Sequence, residues 1–304
     1  MLFFRRLIVP VRLLLILVLI PSGGLLAHGD LSERIAEMKA EIAQHPEDGP
    51  RQLSLAGLLF QDGNFAETLE ALDDLDRVVP GKFPTDKLRG SAMLALQRPA
   101  EAREALNRFL IRFPGDVPAT ILRARALSAL SLTNGALNDY REALGRSPVP
   151  EPDLVQEVAT ALASAGCQDE ALSVLDRGLK TLGNIPSLGQ RALDLELSLK
   201  RFDGALARAE SMQRTAPRPE QGMAMRAAIL TAAGRITESR ESWQALITHL
   251  TALPAAERGS NAMSRLAEEA RARLHALRGL ASLETRPQAT PVVRPAQSFS
   301  LTTP

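Results

Sequence analysis

One cysteine, one tryptophan and one tyrosine occur in 304 residues, and aromatic side chains make up only 4% of the chain. A single thiol, Cys167, excludes an intramolecular disulfide and any multi-cysteine zinc or iron–sulfur centre. Four histidines leave little for a histidine-rich metal site. Scarce aromatics argue against a β-sandwich or barrel, whose strands draw on aromatic and β-branched residues. Charge of one sign is lacking as well: the formal net charge is +1, which offers no field that would make nucleic acid the default partner. No phosphate-binding or dinucleotide fingerprint occurs, and no nucleophile with its base can be assembled, so the chain reads as a non-enzyme without a cofactor. What is present is 45% hydrophobic and 23% charged. Leu, Ala, Arg and Glu dominate it, and these strong helix formers point to an all-α fold.

The N-terminus has the layout of an export signal. Arg5, Arg6 and Arg12 precede the apolar run Leu13 to Ile20, and Pro21-Ser22-Gly23-Gly24 follows it. The uncharged stretch from Leu13 to Ala27 is 15 residues, short of the roughly 20 that a spanning helix needs. Residues 1–27 are therefore expected to be a cleaved signal peptide, with cleavage after Gly24 and an uncleaved inner-membrane anchor as the alternatives. The expected location is periplasmic or secreted. Loss of 1–27 removes three arginines and no acid, which turns the +1 of the full chain into −2. If the cut falls after Ala27, the free amine and imidazole of His28 could chelate copper, although no second histidine ligand is identifiable.

The remainder repeats. Pro46, Pro80, Pro114 and Pro148 are spaced 34 apart; after a one-residue slip at Val149-Pro150-Glu151, Gly183 and Pro217 continue the phase. Twelve residues before these positions from Pro80 onward sits a small residue, at Ala102, Ala136, Ala171 and Ala205, with Thr68 in the first unit and Ser239 twelve before Thr251, where the phase persists weakly. Twelve further upstream come Ala56, Gly90, Ala124, Ala159 and Ala227, with Leu193 the exception. Two antiparallel helices approach closely only where neither presents bulk, so each pair of small residues marks the crossing point of an α-hairpin. Turns are signalled at Asp62-Gly63-Asn64, Thr133-Asn134-Gly135, Ala165-Gly166 and Ala233-Gly234-Arg235.

This spacing of small residues, with large ones at Leu55, Leu59, Phe65 and Leu72 and the closing Pro80, resembles the tetratricopeptide repeat family. The resemblance implies a right-handed superhelical solenoid of antiparallel hairpins, with six repeats at about 49–82, 83–116, 117–150, 151–185, 186–219 and 220–253. Repeat five fits worst: Leu193, Glu196 and Ala209 stand where a small residue, an aromatic and a large residue belong. A solenoid needs covered ends. A capping helix is expected within 28–48, opened by Asp30-Leu31-Ser32-Glu33 in capping-box spacing, and another within 254–284. The stretch 285–304, with four prolines and no acid, reads as a disordered tail.

Function is expected on the concave face. In the family, positions two, five, nine and twelve of each first helix point into an inner groove. Transferred by position, these give Leu53 and Phe60, Lys87 and Ser91, Ile121 and Arg125, Gln156 and Thr160, then Gln190 and Asp194. The implied role is an interaction scaffold that binds a protein or peptide segment, one with an apolar anchor and a carboxylate for Lys87 or Arg125. An accessory subunit of an exported enzyme, or a ligand- or copper-binding protein, is the alternative. Ser91 replaces the asparagine of the family's carboxylate clamp, which argues against chaperone-tail binding.

Overall fold

The computed structural model describes residues 23–284, with side chains from 30 to 277 apart from Thr215; the proposed signal up to residue 22 and the tail from 285 lie outside the described residues. Those described form 15 helices and no strands. The first, α1 (Gly23–Gln44), does not open at Asp30. Leu25, Leu26 and Ala27 are good helix formers and continue the ladder upstream, so the capping-box residues lie inside the helix.

Six helical hairpins follow. The chain divides into two compact units, one ending at Ser147 and the other starting at Pro148. The first unit holds α2 (Gly49–Gln61) with α3 (Phe65–Val78), α4 (Asp86–Ala95) with α5 (Pro99–Arg112), and α6 (Val117–Ala129) with α7 (Thr133–Arg146). The second holds α8 (Pro152–Ser164) with α9 (Gln168–Leu182), α10 (Pro186–Ser198) with α11 (Phe202–Thr215), and α12 (Glu220–Ala232) with α13 (Ile236–Ala252). The one-residue slip in the sequence repeat coincides with the junction, where Val149 is 70% exposed. Within each unit, α4 touches α6 and α8 touches α10 across the intervening helix, so first helices of successive hairpins share a layer.

Crossing points are as small and as buried as the spacing requires. Ala56, Ala102, Ala124, Thr68, Ala171, Ala205, Ala227 and Ser239 expose 1% or less of their surface. At Gly90 a methyl group would stand 2.6 Å from Leu106 Cγ, which shows how close α4 and α5 come. The Ser239 hydroxyl donates across its hairpin to the Ala227 carbonyl at 3.0 Å.

The hairpin turns are built alike. At Gly63, Gln97, Ser131, Gly166, Lys200 and Gly234 φ is positive, between 57 and 81°. In each, that residue's N–H bonds the carbonyl three back and the next N–H bonds one five back, as in Gly63 to Phe60 and Asn64 to Leu59. This is the Schellman closure of a helix C-terminus. The third turn therefore lies at Leu130–Leu132 and not at Thr133-Asn134-Gly135, which form the first turn of α7. The hydrogen-bond pattern, more than glycine itself, places the turn: Ser131 takes the left-handed conformation there.

Repeat five keeps register through exchanged volumes. Leu193 is buried at the crossing, and it fits because Ala205 and Ala209 opposite it are small. Glu196, at the expected aromatic position, is only 6% exposed and paired with Arg208.

At the ends, Ile35 of α1 packs on Leu55, Leu58 and Leu59. The expected last helix is interrupted: α14 (Ala255–Arg258) stops at Gly259, and α15 (Asn261–Glu284) restarts with the Ser260 hydroxyl accepting from Met263 N–H at 3.4 Å. Its Met263, Leu266, Leu274 and Leu277 seat on Trp243, Leu246 and Leu250 of α13.

Candidate functional site

Of the residues assigned to the groove, six lie in the first unit and four in the second. In the first, Leu53 of α2 and Ile121 of α6 are half-buried, so each offers part of an apolar surface. Phe60 is half-buried too, and its ring meets Phe65 edge-on at 5.3 Å, which ties the end of α2 to the start of α3. Arg125 is exposed on α6.

Lys87 has a different setting from the one its position implies. Its ammonium contacts Asp116 Oδ2 at 2.9 Å and lies 5.6 Å from the centre of the Phe109 ring. Asp116 is the N-cap of α6, accepting from Ala119 N–H through Oδ1 at 2.8 Å. One carboxylate thus closes a helix and holds a lysine from the preceding repeat, a charge-assisted bond in a partly buried place. Lys87 joins repeats two and three. Ser91 donates to the Lys87 carbonyl on its own helix.

In the second unit the polar groove positions bond along their own helices. Thr160 donates to the Gln156 carbonyl at 2.8 Å, and the Gln190 amide donates to Asp194 at 2.9 Å. These four side chains are exposed.

Sequence reasoning missed the arginine ties between repeats. Arg89 of α4 bonds Asp73 of α3, Arg123 of α6 bonds Asn107 of α5, and Arg226 of α12 bonds Glu210 of α11, all at a separation of 16 residues. A second set spans 32 residues: Arg201 to Asp169, Arg208 to Asp176 and Arg235 to Asp203. Recurrence of one Arg-to-acceptor separation in successive repeats was the available signal. Two of these arginines also hold buried acids. Arg123 forks onto Asp139 at 2.7 and 2.8 Å, and that hydrogen bonding raises its pKa above the ordinary value. Burial works against the Arg208 charge, but the bonds from Glu196 and Asp176 outweigh it and again raise the pKa.

A cleft of about 550 Å³ lies in the second unit beside this Arg208–Glu196 pair, between α9, α10 and α11. It exists because Gly189, Gly204 and Ala207 leave the helix faces bare. Among the described residues no group of three or more His, Cys, Asp and Glu side chains could hold a metal ion. Cys167 is a partly buried free thiol preceding α9. His249 sits 3.2 Å from Glu220.

Antiparallel hairpins with small crossing residues, stacked through each unit and closed by terminal helices, define an all-α repeat protein of the tetratricopeptide type. One solved structure shares this fold. The C-terminal part of a TPR repeat-containing protein from Cytophaga hutchinsonii superposes with a TM-score of 0.54 at 14% identity, over 74% of this chain and 95% of that one. A tetratricopeptide repeat protein from Parabacteroides merdae gives 0.49 at 16% identity over 82% and 95%, and pilF of Pseudomonas aeruginosa gives 0.47 at 14% over 74% and 97%. No family profile and no curated protein matches the chain. At these identities the likeness is one of fold alone, and function has to be argued from the site.

Proposed function

We propose that the protein is a non-enzymatic adaptor that works after export and binds an extended segment of a partner protein along the first-helix layer of its first unit. The observation that carries this reading is the composition of that layer. Leu53, Phe60 and Ile121 present partly exposed apolar surface on α2 and α6, and exposed Arg125 adds a cation one helical turn beyond Ile121. Apolar anchors beside a charge suit a peptide with hydrophobic side chains and an acidic residue. Lys87 supports the site indirectly, by holding α4 to the N-terminus of α6. In the second unit Gln156, Thr160, Gln190 and Asp194 bond along their own helices and stand outside the proposed site. Support for export comes from the N-terminal layout, and no helix among the described residues is long and apolar enough to cross a membrane.

Photo-crosslinkers placed at Phe60 and Ile121 in the native host test the site, with exposed Glu104 of α5 as the control position. The expected result is one shared partner band from the two inner positions and none from Glu104, reduced by Arg125→Glu. Equal capture at all three positions would refute the assignment. N-terminal sequencing of the mature protein tests export separately: an intact Met1 overturns cleavage.

A further inference from the structure

Large hydrophobic side chains stand in water along one edge of the first unit. Ile111 is 81% exposed, and Val78 and Phe113 are 40% exposed each. All three lie where a second helix ends and the chain crosses to the next hairpin, at the close of α3 and of α5. Ile111 departs from its own register. The matching positions at intervals of 34, or 35 across the slip, are Arg77, Gly145, Lys180, Arg214 and Thr248, all of them exposed. The position therefore faces solvent in each of these repeats, and packing within the chain does not ask for isoleucine there. Apolar groups gathered on a surface in this way mark a contact with something else.

Cations without counter-ions share this edge. The stretches 77–85 and 105–115 contain no acid. The acids that follow them are engaged: Asp86 accepts from Arg108 at 2.7 Å, and Asp116 from Lys87 at 2.9 Å. Each of these bonds runs from one stretch to the other, so the two lie side by side. Lys82 and Arg112 are exposed and have no ion pair among the described residues. Each has the ring of the next residue beside it instead, Phe83 at 5.8 Å and Phe113 at 5.7 Å.

We propose that this edge rests on a lipid surface with anionic headgroups, Ile111 and Phe113 entering the boundary between headgroups and acyl chains while Lys82 and Arg112 meet the phosphates. Such a surface accounts for both features at once. A projecting isoleucine finds a soft apolar medium, and unpaired cations on either side of it find a dense layer of negative charge. The site lies on the ends of second helices and shares no residue with the first-helix layer proposed above, so the two stand or fall independently.

The test is fluorescence quenching of full-chain Ile111→Trp by vesicles of phosphatidylcholine brominated on its acyl chains, with and without phosphatidylglycerol. Bromine quenches a tryptophan that reaches the acyl chains, and the native Trp243 is buried, at 2% exposure. Vesicles containing phosphatidylglycerol should quench Ile111→Trp saturably. Adding Lys82→Glu and Arg112→Glu should raise the lipid concentration required about tenfold or more while circular dichroism stays unchanged. Arg214→Trp, the matching position in the second unit, should not be quenched. An unquenched Ile111→Trp, equal quenching without phosphatidylglycerol, or equal quenching of Arg214→Trp overturns the proposal. The signal is read at the edge itself, so a retained N-terminal apolar run that merely tethers the chain to vesicles does not imitate it. Sedimentation velocity without lipid tests the other occupant: a dimer of the parent that Ile111→Asp splits into monomers assigns the edge to a second copy and overturns the lipid.

Discussion

Three of the six hairpin turns place a residue with a Cβ in the left-handed region: Gln97 and Ser131 at φ 58° and Lys200 at φ 57°. The other three use glycine. For an L-residue this conformation costs about 1–2 kcal/mol, while glycine adds roughly 0.5–1 kcal/mol of unfolded-state entropy. Each of Gln97→Gly, Ser131→Gly and Lys200→Gly should therefore stabilise its hairpin by about 0.5–1 kcal/mol. All three side chains are exposed and none takes part in a hydrogen bond that would be lost. Gln97 and Ser131 belong to the same unit in different repeats, so their effects should add to about 1–2 kcal/mol. The mirror experiment is Gly63→Ala. A methyl there meets nothing within 4 Å, so its whole cost is the backbone conformation, a loss of about 1 kcal/mol. Urea unfolding followed by circular dichroism at 222 nm reads both: with a slope of about 2–3 kcal/mol per molar, the double glycine variant should move the midpoint up by roughly 0.3–1 M and Gly63→Ala should move it down. If the glycine variants lower the midpoint as Gly63→Ala does, the Schellman reading of these turns is wrong.

Two further outcomes concern charge. Glu196→Leu alone should destabilise by about 1–3 kcal/mol, because it leaves Arg208 half-partnered and largely buried, whereas Glu196→Leu with Arg208→Met should return to within about 1 kcal/mol of the parent; thermal unfolding of the four members of the cycle decides it. Hydrogen bonds from Arg98 and Arg235 lower the pKa values of Glu101 and Glu238. Their contribution is therefore present above the ordinary carboxylate range and lost as pH falls through the lowered values, so Glu101→Gln with Glu238→Gln should flatten the decline of the unfolding midpoint between about pH 5 and pH 3.

The crossing residues made the hairpins legible, because close approach leaves a period that sequence preserves: Ala102, Ala136 and Ala205 occupy one structural position. Repeat five was harder to read because two departures compensate each other in space. Leu193 and Ala209 lie 16 residues apart, and only the packing shows that the bulk of one fills the room left by the other. The turn at Ser131 was read three residues late because Asn134-Gly135 is a stronger turn signal than Leu130-Ser131-Leu132, and the hydrogen bonds decided otherwise. For the candidate groove, position alone put forward Leu53, Phe60 and Ile121, each of which is half-buried. For Lys87 position was not enough, since it implies an open groove and carries no information about Asp116, 29 residues on.

The ties of Arg201, Arg208 and Arg235 each reach back one repeat and no farther. Under a pulling force these three ties form no long-range clasp, while the exposed Arg218–Glu257 pair brackets the α12–α13 hairpin. The second unit should therefore pay out in single-repeat steps, each releasing some 34 residues, or about 110–120 Å of extended chain. An array tied in this way should lengthen under load while the repeats still folded keep their shape.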